Sequence, residues 1–229
     1  MSSNPNSAAG QGMREKVQSF GRFLSAMVIP NIGAFFAWAL VTALFIPVGW
    51  LPNDVLVRMV GPILKGLLPL LIGYTGGRMV GGQRGAVIGA VATFGVMLGA
   101  ANALPLQPNG LDLWSATPMF MGAMIVGPLG GWIVKKVEEA FEGKVPAGFE
   151  MLVANVSDGI IGMFLLIGGL MFVGPVVVKA TDMVTGVIQS IVNAGALPFA
   201  SIIIEPAKVL FLNNALNHSI FTPLGTAEV

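Results

Sequence analysis

The sequence predicts an all-α integral membrane protein with about six membrane-spanning or re-entrant helices and one interfacial amphipathic segment. Hydrophobic residues make up 55% of its 229 residues, charged residues make up only 10%, and the mean hydropathy is +0.82. Soluble domains carry about 25% charged residues, so a water-soluble fold would lack the polar groups to cover its surface. Several apolar runs also approach the ~20 residues that a helix needs to cross a bilayer.

The composition argues against several classes of site and partner. The chain has no cysteine and one histidine, so we expect no thiolate chemistry and no metal site. The net charge is +1, and no basic patch is interleaved with aromatic residues, so we expect no nucleic-acid partner. No motif in the sequence indicates a cofactor, so we expect none.

The N-terminal residues differ in composition from the rest of the chain. Residues 1–12 are rich in Ser, Asn and Gly, which is typical of a disordered tail. Residues 13–229 are then expected to form one membrane domain.

Six apolar runs are predicted to cross or enter the membrane. Pro30 interrupts the first run, and neighbouring helices can satisfy the carbonyl that a proline leaves free. Arg58 and Lys65 interrupt the second run, so either these charges face a cavity or its first half lies at the interface. The runs are 23–46, 55–74, 86–103, 119–134, 159–178 and 183–204.

The segments between these runs are predicted to be turns, with one exception. We expect turns or loops at 47–54, 76–85 and 104–118. The basic, glycine-rich loop 76–85 lacks a Walker pattern, which favours a tight turn over a phosphate cradle. Segment 135–155 carries charges on one helical side and apolar residues on the other, so it predicts an interfacial amphipathic segment, broken near Pro146.

Connecting segments that contain lysine or arginine alternate with connecting segments that contain neither, from one predicted crossing to the next. The turns 47–54 and 104–118 contain neither residue, and Lys179 is a single exception on the predicted outer side. Because cytoplasmic segments carry an excess of lysine and arginine, we expect a cytoplasmic N-terminus. The residues on the predicted inner side are Arg14, Lys16, Arg22, Arg78, Arg84, Lys135, Lys136 and Lys144.

Small residues at i, i+4 spacing predict close helix packing. The pairs are Gly85/Gly89, Gly95/Gly99 and Gly127/Gly131, and such spacing lets helix backbones approach one another.

Two other residues leave structural and functional interpretations open. Asp158 directly precedes an apolar run and is expected to be a helix cap. Trp38 lies inside the first run, where it either packs against protein or lipid or stacks on a ligand.

The polar side chains near the end of the sequence are the candidate ligands of a substrate. Amides both donate and accept hydrogen bonds, which suits the hydroxyls of a polyol or sugar. Polar groups at membrane depth commonly mark substrate or ion pathways. A buried histidine and a Glu205–Lys208 ion pair remain alternative interpretations, and no nucleophile–base pair is evident. The candidate substrate-binding residues are Glu205, Asn213, Asn214, Asn217 and His218.

Several longer strings make the chain similar to a known family. From about residue 16 to Gly225 it closely resembles the mannitol-specific permeases of the bacterial phosphotransferase system, the membrane (C) component of enzyme II. The strings include Pro30-Asn-Ile-Gly-Ala-Phe35, Leu68-Pro-Leu-Leu-Ile-Gly-Tyr-Thr-Gly-Gly77, Ile125-Val-Gly-Pro-Leu-Gly-Gly-Trp132 and Glu205-Pro-Ala-Lys-Val-Leu-Phe-Leu-Asn-Asn-Ala-Leu-Asn-His218.

This resemblance implies a homodimeric group translocator in the bacterial inner membrane. Mannitol would bind from outside and be released inside as mannitol 1-phosphate. The phosphoryl group would come from a phosphocysteine of the B component, which is charged through the A component and the histidine phosphocarrier protein. The resemblance also implies that the stretch from Glu205 to His218 forms a re-entrant hairpin of the substrate site.

The sequence departs from the family pattern in two ways. It lacks the later Gly-Ile-x-Glu segment, whose carboxylate contacts substrate in the family, and it lacks the cysteine-bearing B domain. The chain is therefore expected to be the N-terminal portion of the permease. Two alternatives remain, namely a non-catalytic dimerisation half of a split permease and a polyol facilitator without phosphotransfer.

Overall fold

A computed structural model of the chain describes residues 5–102, 117–146 and 148–193, and within these ranges the regular structure is helical. Four helical stretches of this part are long and apolar enough to cross a membrane: Gln18–Phe45, Leu56–Ala101, Phe120–Phe141 and Glu150–Met183. The prediction of an all-α membrane protein is therefore confirmed. The α-helices are α1 (Pro5–Val28), α2 (Ile32–Phe45), α3 (Val60–Pro62), α4 (Leu68–Asn102), α5 (Phe120–Phe141), α6 (Glu150–Gly168) and α7 (Gly174–Asn193).

Short segments of other helical geometry join these helices. The 3₁₀ turns are Ile29–Asn31 and Leu56–Met59, and the π-helical segments are Ile63–Leu67 and Gly169–Val173. The first 3₁₀ turn contains Pro30, so the predicted first crossing is helical on both sides of a local break at this proline.

Helix α1 reaches further toward the N-terminus than the composition predicts. It begins at Pro5, so residues 5–12, expected to be disordered, are helical, while residues 1–4 lie outside the described part. Once a helix is nucleated, each residue that it adds forms one further backbone hydrogen bond, so extension is easier than nucleation. The polar stretch can therefore continue the helix that the apolar run begins.

Helix α4 is a hairpin of two antiparallel arms. Its backbone leaves helical geometry at Gly81 and Gly82, and Gly82 has a φ of 62°. On either side of this break, Gly77 and Gly85 face each other at backbone contact. The arms correspond to the predicted second and third crossings, but the predicted loop 76–85 is wrong. Two residues suffice for the reversal because glycine accepts a positive φ without steric cost.

Contacts between glycines give the direction of α5. Gly127 lies against Gly73, and Gly131 lies against Gly77. Since both numbers rise together, α5 is parallel to the first arm of α4 and antiparallel to the second.

Helix α6 runs parallel to the second arm of α4. Leu166 lies where a side chain at Gly95 would point, and Leu170 lies likewise at Gly99. The helices that border α4 therefore alternate in direction, as a multi-pass membrane bundle requires.

The predicted interfacial segment 135–155 is not a separate element. Helix α5 continues to Phe141, and α6 begins at Glu150, so a short connection separates them. Val134 and Phe141 keep the same helical side apolar across the charged residues, which lets α5 extend beyond its most hydrophobic part.

The predicted fifth and sixth crossings, 159–178 and 183–204, are joined in the structure. Helix α6, the π-helical segment and α7 follow one another without a turn up to Asn193. Thr181 donates its hydroxyl to the Val177 carbonyl at 2.9 Å, so the polar residues between the two runs fit inside a helix. Residues 194–204 lie outside the described part.

Candidate functional site

All five predicted substrate-binding residues lie outside the described residues: Glu205, Asn213, Asn214, Asn217 and His218. The described part contains the helical frame that precedes them in the chain. Within the described part, three features join helices to one another. They are an arginine-centred network, a ladder of glycines in backbone contact, and a polar break in the first crossing.

Arg84 is the centre of a polar network that joins three helices. Its Nε donates to Oδ2 of Asp158 and its Nη2 donates to Oδ1, both at 2.8 Å. Nη2 also donates to the Ala154 carbonyl at 3.2 Å, and Nη1 lies 3.4 Å from Oε1 of Glu138. This guanidinium therefore holds the second arm of α4 to both α5 and α6.

The structure assigns different roles to Arg84 and Asp158 than the sequence predicts. Asp158 is not a helix cap, because α6 begins eight residues earlier at Glu150. Arg84 is not in a loop, because the second arm of α4 begins directly after Gly82. Their side chains are 28% and 16% exposed, and a two-pronged arginine–carboxylate pair with this much burial is both stronger and more directional than a surface pair.

An open pocket of about 800 Å³ lies beside this network. The end of α5, the connection to α6 and the first turns of α6 form its walls. Its lining carries both charge signs, including Arg84, Lys135, Glu138, Glu142 and Glu150. Glu150 accepts a hydrogen bond from the Gly148 N–H at 2.8 Å. In the part of the chain that the structure describes, no group of three or more His, Cys, Asp or Glu residues could hold a metal ion.

A ladder of glycines lets the helices of the frame touch backbone to backbone. A Cβ on Gly127 would lie 2.6 Å from the Gly73 carbonyl oxygen, and one on Gly89 would lie 2.5 Å from the same oxygen. On the other side of α4, a Cβ on Gly99 would lie 2.5 Å from the Leu170 carbonyl oxygen. The close packing predicted from the glycine spacings is thus confirmed for both faces of the second arm of α4.

Asn31 stabilises the break in the first crossing. Its Nδ2 lies within hydrogen-bonding distance of the Met27 carbonyl (3.0 Å), the Leu71 carbonyl (3.1 Å) and the Thr75 hydroxyl (2.8 Å). The Asn31 amide therefore bonds to a carbonyl about one turn before the break, and its contacts with Leu71 and Thr75 link the break to the first arm of α4. Asn31 is not among the candidate residues predicted from the sequence, although it is the polar residue that directly follows a proline inside an apolar run.

Trp38 also has a structural partner. Its Nε1 donates at 3.2 Å to the carbonyl of Val60, the first residue of α3. Its ring packs against a buried cluster that includes Leu24, Met27 and Leu68. These contacts favour the packed-ring interpretation over stacking on a ligand.

The amino-acid sequence matches a known protein family and several named relatives. The chain matches the family described as "Phosphotransferase system, EIIC" over residues 25–226. It is 56% identical over 213 residues to the PTS system mannitol-specific EIICBA component of Escherichia coli (strain K12), covering 93% of this chain and 31% of that protein. No solved structure gives a significant match.

Two further relatives come from other bacteria. The PTS system mannitol-specific EIICB component of Streptococcus pneumoniae serotype 4 is 55% identical, covering 95% of this chain and 34% of that protein. The corresponding EIICB component of Halalkalibacterium halodurans is 54% identical, covering 93% of this chain and 42% of that protein. The chain thus spans between 31% and 42% of the length of these three relatives.

Proposed function

The chain belongs to the EIIC family of the phosphotransferase system, and on this premise we propose that it takes part in the uptake of mannitol with its phosphorylation to mannitol 1-phosphate. Its role would be that of the membrane component, which binds the polyol and presents it for phosphorylation. The observation that carries this proposal is the identity of 54–56% to relatives named as mannitol-specific, over 93–95% of this chain.

The phosphoryl group would come from the B and A parts of the system. The 229 residues contain no cysteine, so the phosphocysteine that the family uses would lie outside them. We propose that B and A components, charged by the histidine phosphocarrier protein, supply the phosphoryl group, and that the membrane component works as a homodimer. The names EIICBA and EIICB of the relatives support the link to B and A parts.

We propose that the polyol is bound by Asn213, Asn214, Asn217 and His218, with Glu205 as an additional acceptor. Primary amides can donate to one hydroxyl and accept from another, which matches the alternating donor and acceptor character of a polyol. The described frame supports this assignment indirectly, because its own polar residues Arg84 and Asn31 are already engaged with protein groups.

Replacing Asn217 or His218 by alanine should weaken mannitol affinity about five- to a hundredfold. A polar group stranded by the loss of its partner costs about 1–3 kcal/mol, and 1.4 kcal/mol corresponds to a factor of ten in affinity. The measurement is equilibrium binding of radiolabelled mannitol to membranes that contain the complete transporter.

Ser219→Ala and immunoblotting of membrane fractions provide the controls. Ser219 directly follows the proposed ligands, so its replacement reports the general sensitivity of this stretch. Normal insertion together with parental mannitol affinity in both Asn217→Ala and His218→Ala would show that these residues are not ligands. Failure of the parent transporter to bind mannitol at all would instead contradict the proposed substrate.

We further propose that the domain lies in the bacterial inner membrane with its N-terminus and the Arg84 network facing the cytoplasm. Arg84 contacts Glu138 near the end of α5, so this end of the bundle also carries Lys135, Lys136 and Lys144. Cytoplasmic segments are enriched in such residues, which supports the assignment.

An impermeant maleimide applied to intact cells should modify Asp54→Cys and Gly110→Cys but not Lys144→Cys. The chain has no native cysteine, so each variant carries a single reactive thiol. Permeabilised cells serve as the control, since Lys144→Cys should then react. The opposite pattern in intact cells would reverse the proposed orientation.

A further inference from the structure

After α2 ends at Phe45, the chain turns back against the last turn of that helix. The final carbonyls of a helix have no partner within the helix, and here residues 46–53, which we call the wrap, supply donors for them. The bonds run from the N–H of Trp50 to the carbonyl of Ala43 at 3.3 Å, from Leu51 to Leu44 at 2.7 Å and from Asn53 to Phe45 at 3.2 Å.

These hydrogen bonds fix the depth of the wrap. The apolar stretch Gln18–Phe45 is long enough to cross a membrane, and a backbone group bonded to Ala43 lies at the level of its last turn. The approach is close, because a Cβ on Gly49 would be only 2.7 Å from the Ala43 carbonyl oxygen. The wrap therefore lies alongside the end of the crossing instead of projecting beyond it.

The side chains of the wrap are apolar and exposed. Val48 is 89% exposed and Trp50 is 86% exposed, and Leu51 is exposed as well. On the preceding helix, the large apolar residues Phe36 and Leu40 are likewise exposed. The apolar surface of α2 thus continues onto the wrap.

The residues that follow the wrap provide a charged border. Arg58 is an exposed residue of the 3₁₀ turn Leu56–Met59, and its Nε donates to the Asp54 carbonyl at 3.2 Å. This arrangement favours an interfacial position for the first half of the predicted second crossing over one in which Arg58 faces a cavity. Apolar side chains next to a charged turn at the end of a crossing match the layering of a membrane interface.

We propose that the wrap is a lipid-binding anchor that inserts Val48, Trp50 and Leu51 into the bilayer interface on the side opposite Arg84. Lipid is the occupant that fits, because the N–H groups of Trp50, Leu51 and Asn53 already bond to carbonyls of α2. These groups therefore do not need water as a partner. An indole combines an apolar ring with one N–H donor, which suits the boundary between acyl chains and headgroups. The surface is also continuous with the exposed apolar side of a membrane-spanning helix.

Site-directed spin labelling of the full chain in phospholipid vesicles tests this proposal independently of transport. The absence of native cysteine allows single labels at Val48→Cys and Leu51→Cys. Leu40→Cys, at an exposed position of α2, serves as the reference on the apolar surface that the wrap continues, and Lys144→Cys, in the connection between α5 and α6, serves as the aqueous reference. The measured quantity is the ratio of collision rates with oxygen, which concentrates in lipid, and with a water-soluble nickel chelate.

The oxygen-to-nickel ratio at positions 48 and 51 should be severalfold higher than at position 144 and should approach that at position 40. A ratio equal to that at position 144 would place the wrap in water and overturn the proposal. Low collision rates with both reagents would mean that protein, such as a second copy of the chain, covers the wrap, and this outcome would overturn it equally.

Discussion

Gly127→Ala should destabilise the membrane domain by about 1–3 kcal/mol relative to Gly130→Ala, which is the cost of inserting extra volume into a well-packed interior. The two glycines lie one turn apart on α5, so both substitutions add the same methyl group to the same helix. On Gly127 the new Cβ would lie 2.6 Å from the Gly73 carbonyl oxygen and 2.8 Å from the Gly73 Cα. Those atoms belong to the backbone and cannot rotate away.

Gly130 is the matched control because it has room for a methyl group. A Cβ there would approach its neighbours no closer than 3.4 Å, which is ordinary van der Waals contact. Alanine favours a helix over glycine by about 1 kcal/mol, so Gly130→Ala should be neutral or slightly stabilising.

Thermal unfolding of the detergent-solubilised domain measures both effects. The remaining monodisperse protein is quantified by size-exclusion chromatography after heating. Gly127→Ala should show the lower midpoint temperature. Equal midpoints for the two variants would mean that α5 and the first arm of α4 do not approach at backbone distance.

The glycine ladder also illustrates what the sequence could predict. Spacings such as Gly95/Gly99 predict close packing because a helix brings i and i+4 to one side, and this geometry does not depend on the partner. The identity of the partner is a different matter. Nothing in the sequence around Gly99 indicates that its neighbour is Leu170, because this contact depends on how all the helices pack.

The turns were harder to predict than the spans, for a physical reason. A basic, glycine-rich stretch such as 76–85 resembles a loop in composition, yet a membrane hairpin needs only the two residues Gly81 and Gly82 to reverse its direction. The other residues of 76–85 can therefore belong to the two helical arms. Conversely, the sequence predicts separate crossings at 159–178 and 183–204, but the hydroxyl of Thr181, which lies between them, bonds within a helix and does not interrupt it.

The Arg84–Asp158 pair could not be predicted from the sequence either. The two residues are 74 positions apart, and each alone fits a simpler role as an inner-side arginine or a helix cap. Only the packing of α6 along the second arm of α4 brings them together. The predicted polyol ligands differ again, because they lie outside the described residues and their assignment stays a prediction.

Asp158→Ala should destabilise the domain by about 1.5–3 kcal/mol, the range measured for hydrogen bonds to charged groups. The substitution removes both 2.8 Å bonds to Arg84. It leaves the guanidinium with the Ala154 carbonyl and the more distant Glu138 carboxylate. Because the Arg84 side chain is only 28% exposed, water can replace the lost carboxylate only in part.

A double-mutant cycle separates this pair from general damage to the helices. Arg84→Gln, Asp158→Ala and the combined variant are compared with the parent by the same thermal measurement, and Glu139→Ala serves as the surface control. Glu139 forms an exposed ion pair with Lys136 near the end of α5. An exposed ion pair contributes little because water screens it, so its loss should leave the midpoint unchanged. The combined variant should lose less stability than the two single losses added together, since either substitution already breaks the same bonds. Strict additivity would mean that Arg84 and Asp158 act separately, and the network would then not be what holds α6 against α4.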